Sequence, residues 1–145
     1  MYGTEKIIDK FFTAYEANFE KALAGHIDAK ATANAFADCF IAANPAGVTC
    51  AKNHRQFLKN ILQGYTFYRS IGTRSMKILS LMTTVLDDFH LMSKVHWKAS
   101  YETEKRKAEM EFDVIYFLQF IKEEAKIFAY ITGDEQKALK EKGLI

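Results

Sequence analysis

The sequence predicts an α+β fold in which three N-terminal helices pack into a mostly antiparallel sheet. Two periodicities and one set of connections carry this reading. Before about residue 70, apolar residues recur every three or four positions, as on one face of a helix. From Ser75 to Thr132 they alternate with polar residues at every second position, as on one face of a strand. The breaks within that second stretch are short and polar, which suits hairpins rather than crossovers.

Ile7, Ile8, Phe11, Phe12, Tyr15, Phe19, Ala22 and Leu23 keep helical spacing, with Asp9, Lys10, Glu16 and Glu20 between them. This is an amphipathic first helix, with Thr4 placed to cap its start and Gly25 to end it. Asp28 is positioned to cap a second, alanine-rich helix running through Ala29–Ala37, whose large anchor is Phe36. Phe40-Ile41 and Val48-Thr49 then flank Asn44-Pro45-Ala46-Gly47, a turn holding the only proline, and read as two very short strands. A third helix is expected from about His54 to Ser70, with Phe57, Leu58, Ile61, Leu62, Tyr65 and Tyr68 on its buried face and Gly72 as its stop.

Four strands follow: Ser75–Leu86, His90–Glu102, Glu109–Ile121 and Lys126–Thr132. In the third, Met110, Phe112, Val114, Tyr116, Leu118 and Phe120 share one parity. Glu109, Glu111 and Asp113 share the other, which turns apolar only at Ile115 and Phe117. The second strand sorts in the same way, with Val95, Trp97, Ala99 and Tyr101 opposite Lys94, His96, Lys98 and Ser100. Half-buried antiparallel strands have this pattern. Asp87-Asp88, Glu102–Lys107 and Lys122-Glu123-Glu124-Ala125 supply the connections, and Asp134–Lys142 can form a short polar helix after Gly133.

A chain of 145 residues, 49% hydrophobic and 14% aromatic, suits one domain over residues 1–145 with a substantial core. Twenty basic residues against 18 acidic ones leave a net charge of +2, and the basic residues are scattered, so no nucleic-acid footprint is expected. No uncharged stretch is long enough to cross a bilayer, so no membrane partner is expected. Asp9 and Lys10 break the apolar run that a secretory leader would need. Cys39 and Cys50 lack any zinc or redox spacing and read as two reduced thiols, which makes the cytoplasm the expected location.

The order helix, helix, two short strands, helix, four long strands resembles the nuclear transport factor 2-like superfamily, which includes ketosteroid isomerase and SnoaL-like polyketide cyclases. The local marks are Phe36-Ala37-Asp38 leading to Asn44-Pro45-Ala46-Gly47-Val48, the third helix stopping before Gly72, and Lys126-Ile127 opening the last strand. The resemblance implies a strongly curved sheet wrapped round the helices as a cone, with an apolar internal pocket. It also implies a homodimer paired through the outer sheet face. Fold alone leaves function open, because the same cone serves enzymes, adaptors and binders.

An isomerase of this kind needs a carboxylate base and an oxyanion hole made by a tyrosine and a protonated acid. The resemblance puts the base immediately before the proline, and Asn44 stands there instead. Asp38 suits a turn or a cap, and Asp113 has the outward parity. The steroid-isomerase constellation is therefore not expected. What remains for the pocket is a ring of hydroxyls from Tyr15, Tyr65, Tyr68, Tyr101 and Tyr116, with Asn44 at the base position and Trp97 and Met82 as apolar lining. The plainer alternative is that most of these are core aromatics. His96 has the parity of Lys94 and Lys98 and is expected outside. No histidine pair has ligand spacing, so neither metal nor cofactor is expected.

On the outer face, Leu79, Leu81, Ile115, Phe117, Phe128 and Tyr130 can form an apolar patch for a second copy of the chain. The expected function is binding of a small apolar or aromatic molecule. The alternatives are an isomerase, cyclase or dehydratase using pocket tyrosine or histidine as acid and base, and a protein-interaction module using the sheet.

Overall fold

The computed structural model describes residues 2–145, Tyr2 by its backbone alone; Met1, at the head of the stretch searched for a leader, lies outside them. Helix α1 spans Tyr2–Leu23, α2 Ala29–Asn34 and α3 Arg55–Ser70. The strands are β1 Phe36–Asn44, β2 Gly47–Lys52, β3 Thr73–Val85, β4 His90–Thr103, β5 Arg106–Ile121 and β6 Glu124–Ile131, and α4 spans Glu135–Glu141. All six strands join one curved sheet in the order β2-β1-β6-β5-β4-β3. Only the β1–β6 pair is parallel. The fold is α+β, with the helices on the concave side of an open mixed sheet.

The amphipathic spacing of α1 has the expected result. Ile8, Phe12, Ala22 and Leu23 are buried, while Asp9, Lys10 and Lys21 stay in solvent. Thr4 lies inside the helix rather than at its cap. The α1–α2–α3 packing is tied by a polar chain: Asn18 Nδ2 donates to Thr32 Oγ1 (2.6 Å), which shares a hydrogen bond of 2.8 Å with the Tyr65 hydroxyl. His54 caps α3 by accepting from the Gln56 N–H. Gly72, at φ +88°, turns the chain into β3 where a Cβ would stand 2.7 Å from the Glu102 carbonyl oxygen.

Three N-terminal expectations are corrected. The second helix stops at Asn34, because Asn53 Nδ2 donates to the carbonyls of Ala33 (2.8 Å) and Phe36 (3.1 Å) and fixes the exit from α2. Phe36 therefore opens a strand. The two short strands are longer than expected, pairing from Cys39↔Lys52 to Asn44↔Gly47. Asp38, expected in a turn, lies inside β1 with an exposed side chain.

The β4–β5 ladder runs through fourteen consecutive pairs, from His90↔Gln119 to Thr103↔Arg106, with no register shift. Its inner face carries Leu91, Val95, Trp97, Ala99, Tyr101, Val114, Tyr116 and Leu118, all buried. The strands on either side do not keep this regularity. In β3, beyond an earlier shift at Arg74, the register shifts between Ile78 and Ser80, leaving Leu79 as an extra residue. In β6 it shifts between Ile127 and Ala129, leaving Phe128 as the extra residue. A bulge adds one residue, bends the strand and reverses the parity of everything beyond it.

Those two bulges correct the outer face. Met76 and Ile78 point inward before the first bulge, and Leu81 after it, where it packs on the core. Leu81 therefore leaves the expected outer patch, and Met82 is 70% exposed. Tyr130, beyond the second bulge, turns inward and packs with Phe36, Phe40 and Tyr116. Leu79, Ile115, Phe117 and Phe128 remain outside, with the Phe117 and Phe128 rings 6.2 Å apart. Beside them runs a charged ladder: His96 lies between Asp113 (2.7 Å) and Glu111 (2.8 Å), and Lys98 pairs with Glu109 (2.8 Å).

Strand β3 is a sheet edge, and its outward N–H groups need acceptors. Helix α1 supplies them. Glu20 accepts from the Met76 N–H (3.0 Å), Glu16 accepts from the Ile78 N–H, and Glu20 also pairs with Lys77 (3.2 Å). Removing either acceptor with Glu16→Ala or Glu20→Ala should cost about 1–3 kcal/mol in urea unfolding, the range for an orphaned, part-buried donor. Glu16→Gln, which keeps an acceptor oxygen, should recover most of the loss. Equal stability of the Ala and Gln variants would show that these contacts do not hold the edge.

Candidate functional site

Between α1, α3 and the inner face of the sheet lies a cavity of about 330 Å³. Its position follows from the fold: curvature lifts the sheet centre away from the helices, and the segment after β6 crosses one end. Tyr15 and Phe19 reach it from α1, Tyr68 from α3, Trp97 and Tyr101 from β4, and Met110, Phe112, Val114 and Tyr116 from β5. Phe36, Met76, Glu111 and Tyr130 complete the walls, and Thr132, Gly133, Asp134, Glu135 and Ala138 line the open end.

The eight residues singled out in the sequence divide into two groups. Tyr15, Tyr68, Trp97, Tyr101 and Tyr116 line this one cavity. Tyr65, Met82 and Asn44 do not. Tyr65 is buried against Phe19, and its hydroxyl is engaged by Thr32 between the helices. Met82 faces outward because the bulge at Leu79 reverses its parity. Asn44 ends β1 in solvent, where its Oδ1 accepts from the Ala46 N–H and shapes the turn. No histidine is among the lining residues. Among the described residues no cluster of histidine, cysteine and acidic side chains could hold a metal ion.

Tyr130 and Glu135 are lining residues that the sequence did not suggest. The bulge that turns Tyr130 inward leaves no mark in composition. Glu135 comes from a polar helix and stays exposed at the cavity mouth; α4 is drawn over the cavity end because Leu139 is fully buried and Leu144 packs on the core. Asp134 caps α4 by accepting from the Lys137 N–H (3.0 Å), so its carboxylate is already engaged. The Arg106 guanidinium holds the far end of α4 at the Lys142 carbonyl.

The walls of the cavity carry phenols held neutral, and the carboxylates of Glu111, Asp134 and Glu135 also border it. Trp97 Nε1 donates to the Tyr116 hydroxyl at 3.3 Å. Burial pushes the Tyr116 pKa upward, and hydrogen bonds from Trp97 and Tyr15 oppose that shift without cancelling it. Burial likewise raises Tyr15 well above the ordinary phenol range, with the other phenols adding to the effect. Around Glu135 a second cause joins burial: the carboxylate's charge disfavours a phenolate on Tyr68 and Tyr130, and Tyr101 is pushed up to about 12. All five therefore serve as hydrogen-bond donors at neutral pH and not as bases.

This has a consequence for alkaline stability. Because the folded phenols titrate above the ordinary value of about 10, the unfolded chain releases these protons first. The stabilisation is complete below pH 10 and is lost as pH rises from there toward the folded values. Absorbance at 295 nm should show tyrosine ionisation arriving late and steeply, together with loss of the folded circular dichroism signal. Ionisation of all the tyrosines near pH 10 in a chain that stays folded would contradict a buried, neutral phenol cluster.

Comparison with solved structures places this geometry among known folds. An NTF2-like protein with a cystatin-like fold from Novosphingobium aromaticivorans superposes with a TM-score of 0.69 at 11% identity, covering 97% of this chain and 88% of that one. A protein of unknown function described as NTF-2 like, from Shewanella oneidensis, gives 0.66 at 13% identity over 90% and 99% of the two chains. A putative scytalone dehydratase from Novosphingobium aromaticivorans gives 0.66 at 13% identity over 88% and 81%. At these identities the likeness is one of fold. No curated protein matches the chain in sequence. A family model described as NTF2-like protein (DUF6841) matches residues 4–135, nearly the whole chain. With the cone of helices and curved sheet already in view, the chain belongs to this NTF2-like family.

Proposed function

We propose that the protein binds a small, largely apolar organic molecule in the cavity under the curved sheet. One observation carries the reading: about 330 Å³ of space is walled by aromatic rings and served by neutral hydroxyl donors. The volume lies at the small end of the roughly 300–1,000 Å³ usual for ligand sites. An apolar wall with a few convergent donors suits a ligand that carries a hydrogen-bond acceptor on a hydrocarbon or aromatic frame. A substrate-converting variant of this reading rests on Glu135 as the carboxylate at the cavity end and on the phenols as proton donors. The fold likeness to a putative scytalone dehydratase is compatible with it.

The test is a thermal-shift titration with one- and two-ring neutral aromatics. Stabilisation should grow with concentration and reach about 2.7 kcal/mol at a hundredfold excess over the dissociation constant. Trp97, the single tryptophan, sits in the wall and should report the same binding by a fluorescence change. Filling the cavity with Met110→Trp should abolish the thermal shift while leaving the free protein folded. A shift that survives this variant places binding elsewhere.

We also propose that a second copy of the chain covers the outer face around Leu79, Phe117 and Phe128. The neighbouring ladder, where Lys94, His96 and Lys98 alternate with Glu109, Glu111 and Asp113 across two strands, carries both signs. It therefore sets up no like-charge barrier to self-association. Sedimentation should give a dimer that Phe117→Asp dissociates; a monomer at high micromolar concentration would overturn this.

A further inference from the structure

We propose that the cavity prefers an organic monocation, a small amine whose charged end rests at the cavity end against the Glu135 carboxylate and the rings of Tyr68, Tyr101 and Tyr130. This rests on the cavity being a ligand site and names the chemical class of its occupant.

Glu135 lines the cavity alongside three phenols from three different elements, α3, β4 and β6. None of the ion pairs among the described residues includes it. The basic groups on adjoining segments have other roles: the Arg106 guanidinium is bound to the Lys142 carbonyl, and Lys126 donates to the Asn34 carbonyl. Of the other two carboxylates in the lining, Asp134 is turned to the α4 N-terminus and Glu111 is paired with His96 (2.8 Å). Glu135, exposed at the cavity mouth and in none of the ion pairs among the described residues, is therefore the carboxylate left available beside an aromatic wall that holds no basic group.

That arrangement has a sign. Aromatic faces carry negative quadrupole density and attract cations, most strongly where water is excluded. A carboxylate adds a charge-assisted hydrogen bond to an ammonium N–H, about twice as strong as a neutral one. The negative field that disfavours phenolate on Tyr68, Tyr101 and Tyr130 would disfavour an anionic ligand for the same reason. A purely structural reading of Glu135 also exists, since an acidic residue in the first turn of α4 complements the helix dipole. That reading predicts a change in stability and no change in ligand preference.

Three probes on one carbon frame separate these readings: 2-phenylethylammonium, 2-phenylethanol and phenylacetate, titrated against the full chain at pH 7.5 with Trp97 fluorescence and calorimetry. The cation should bind about tenfold more tightly than the alcohol, the margin of a charged over a neutral hydrogen bond, and phenylacetate should be the weakest. Glu135→Gln should bring cation and alcohol within about threefold of each other, with the larger change in the cation's affinity. Glu135→Asp, which keeps the charge, should retain part of the preference. Equal binding of cation and alcohol by the natural protein, or a preference that survives Glu135→Gln, overturns the inference and leaves the cavity as a site for neutral ligands. No response to any probe overturns the cavity reading itself, and the inference with it.

Discussion

The unbroken ladder between β4 and β5 is the constraint that the rest of the molecule answers to. Fourteen successive pairs without a shift make the parity of each strand the parity of the other. One residue's slip would carry Trp97 and Tyr116 into solvent and bring His96 and Asp113 into the core. The cost of burying those charges is far larger than any gain on the other face. The centre of the sheet is therefore held rigidly, and curvature has to be generated beside it. The bulges at Leu79 and Phe128 do this on the two flanks and bend β3 and β6.

Curvature and chemistry come from the same two residues. Without the bulge at Phe128, β6 would keep the parity of Ile127, and Tyr130 would lie on the convex side with Phe117. With it, Tyr130 joins Tyr116 and Tyr15 around one hollow, and its ring stands 6.5 Å from that of Tyr116. Phe12, Tyr15 and Phe19 on α1 meet the inner face of the sheet as tilted or edge-on ring contacts with Trp97 and Tyr116. Such contacts prefer fixed offsets over close stacking. Rigid rings meeting at angles fill space less readily than aliphatic chains, and this leaves the hollow between them.

This is also where sequence reading reached its limit. The identity of the long strands, the inward series on β4 and β5 and the buried stripe of α1 were all legible, because periodicity within one element needs no knowledge of its neighbours. Periodicity put five of the cavity's side chains on inward faces, while the expectation that those faces enclose a hollow came from the family resemblance. Met82, Leu81 and Tyr130 were assigned to the wrong face because a bulge adds one residue at a place set by cross-strand register. Asn44 was tied to the cavity by its position before Pro45, whereas β1 carries it to the end of a hairpin. Glu135 was invisible for a different reason. Its place depends on Leu139 and Leu144 anchoring the chain's last turn across the open end of the sheet, a contact between elements far apart in sequence.

The hollow opens to solvent at the end lined by Gly133, Asp134 and Glu135. Closing it by collapse would require α1 to sink into the sheet. Glu16 and Glu20 oppose that movement by fixing the helix to the backbone of β3, and the Asn18–Thr32–Tyr65 chain opposes it from the other side. The hollow is thus flanked by polar contacts at its rim, with phenol donors on its walls and the exposed carboxylates of Asp134 and Glu135 at its end. The same contacts that satisfy the β3 edge therefore also keep α1 and the aromatic face of the sheet apart.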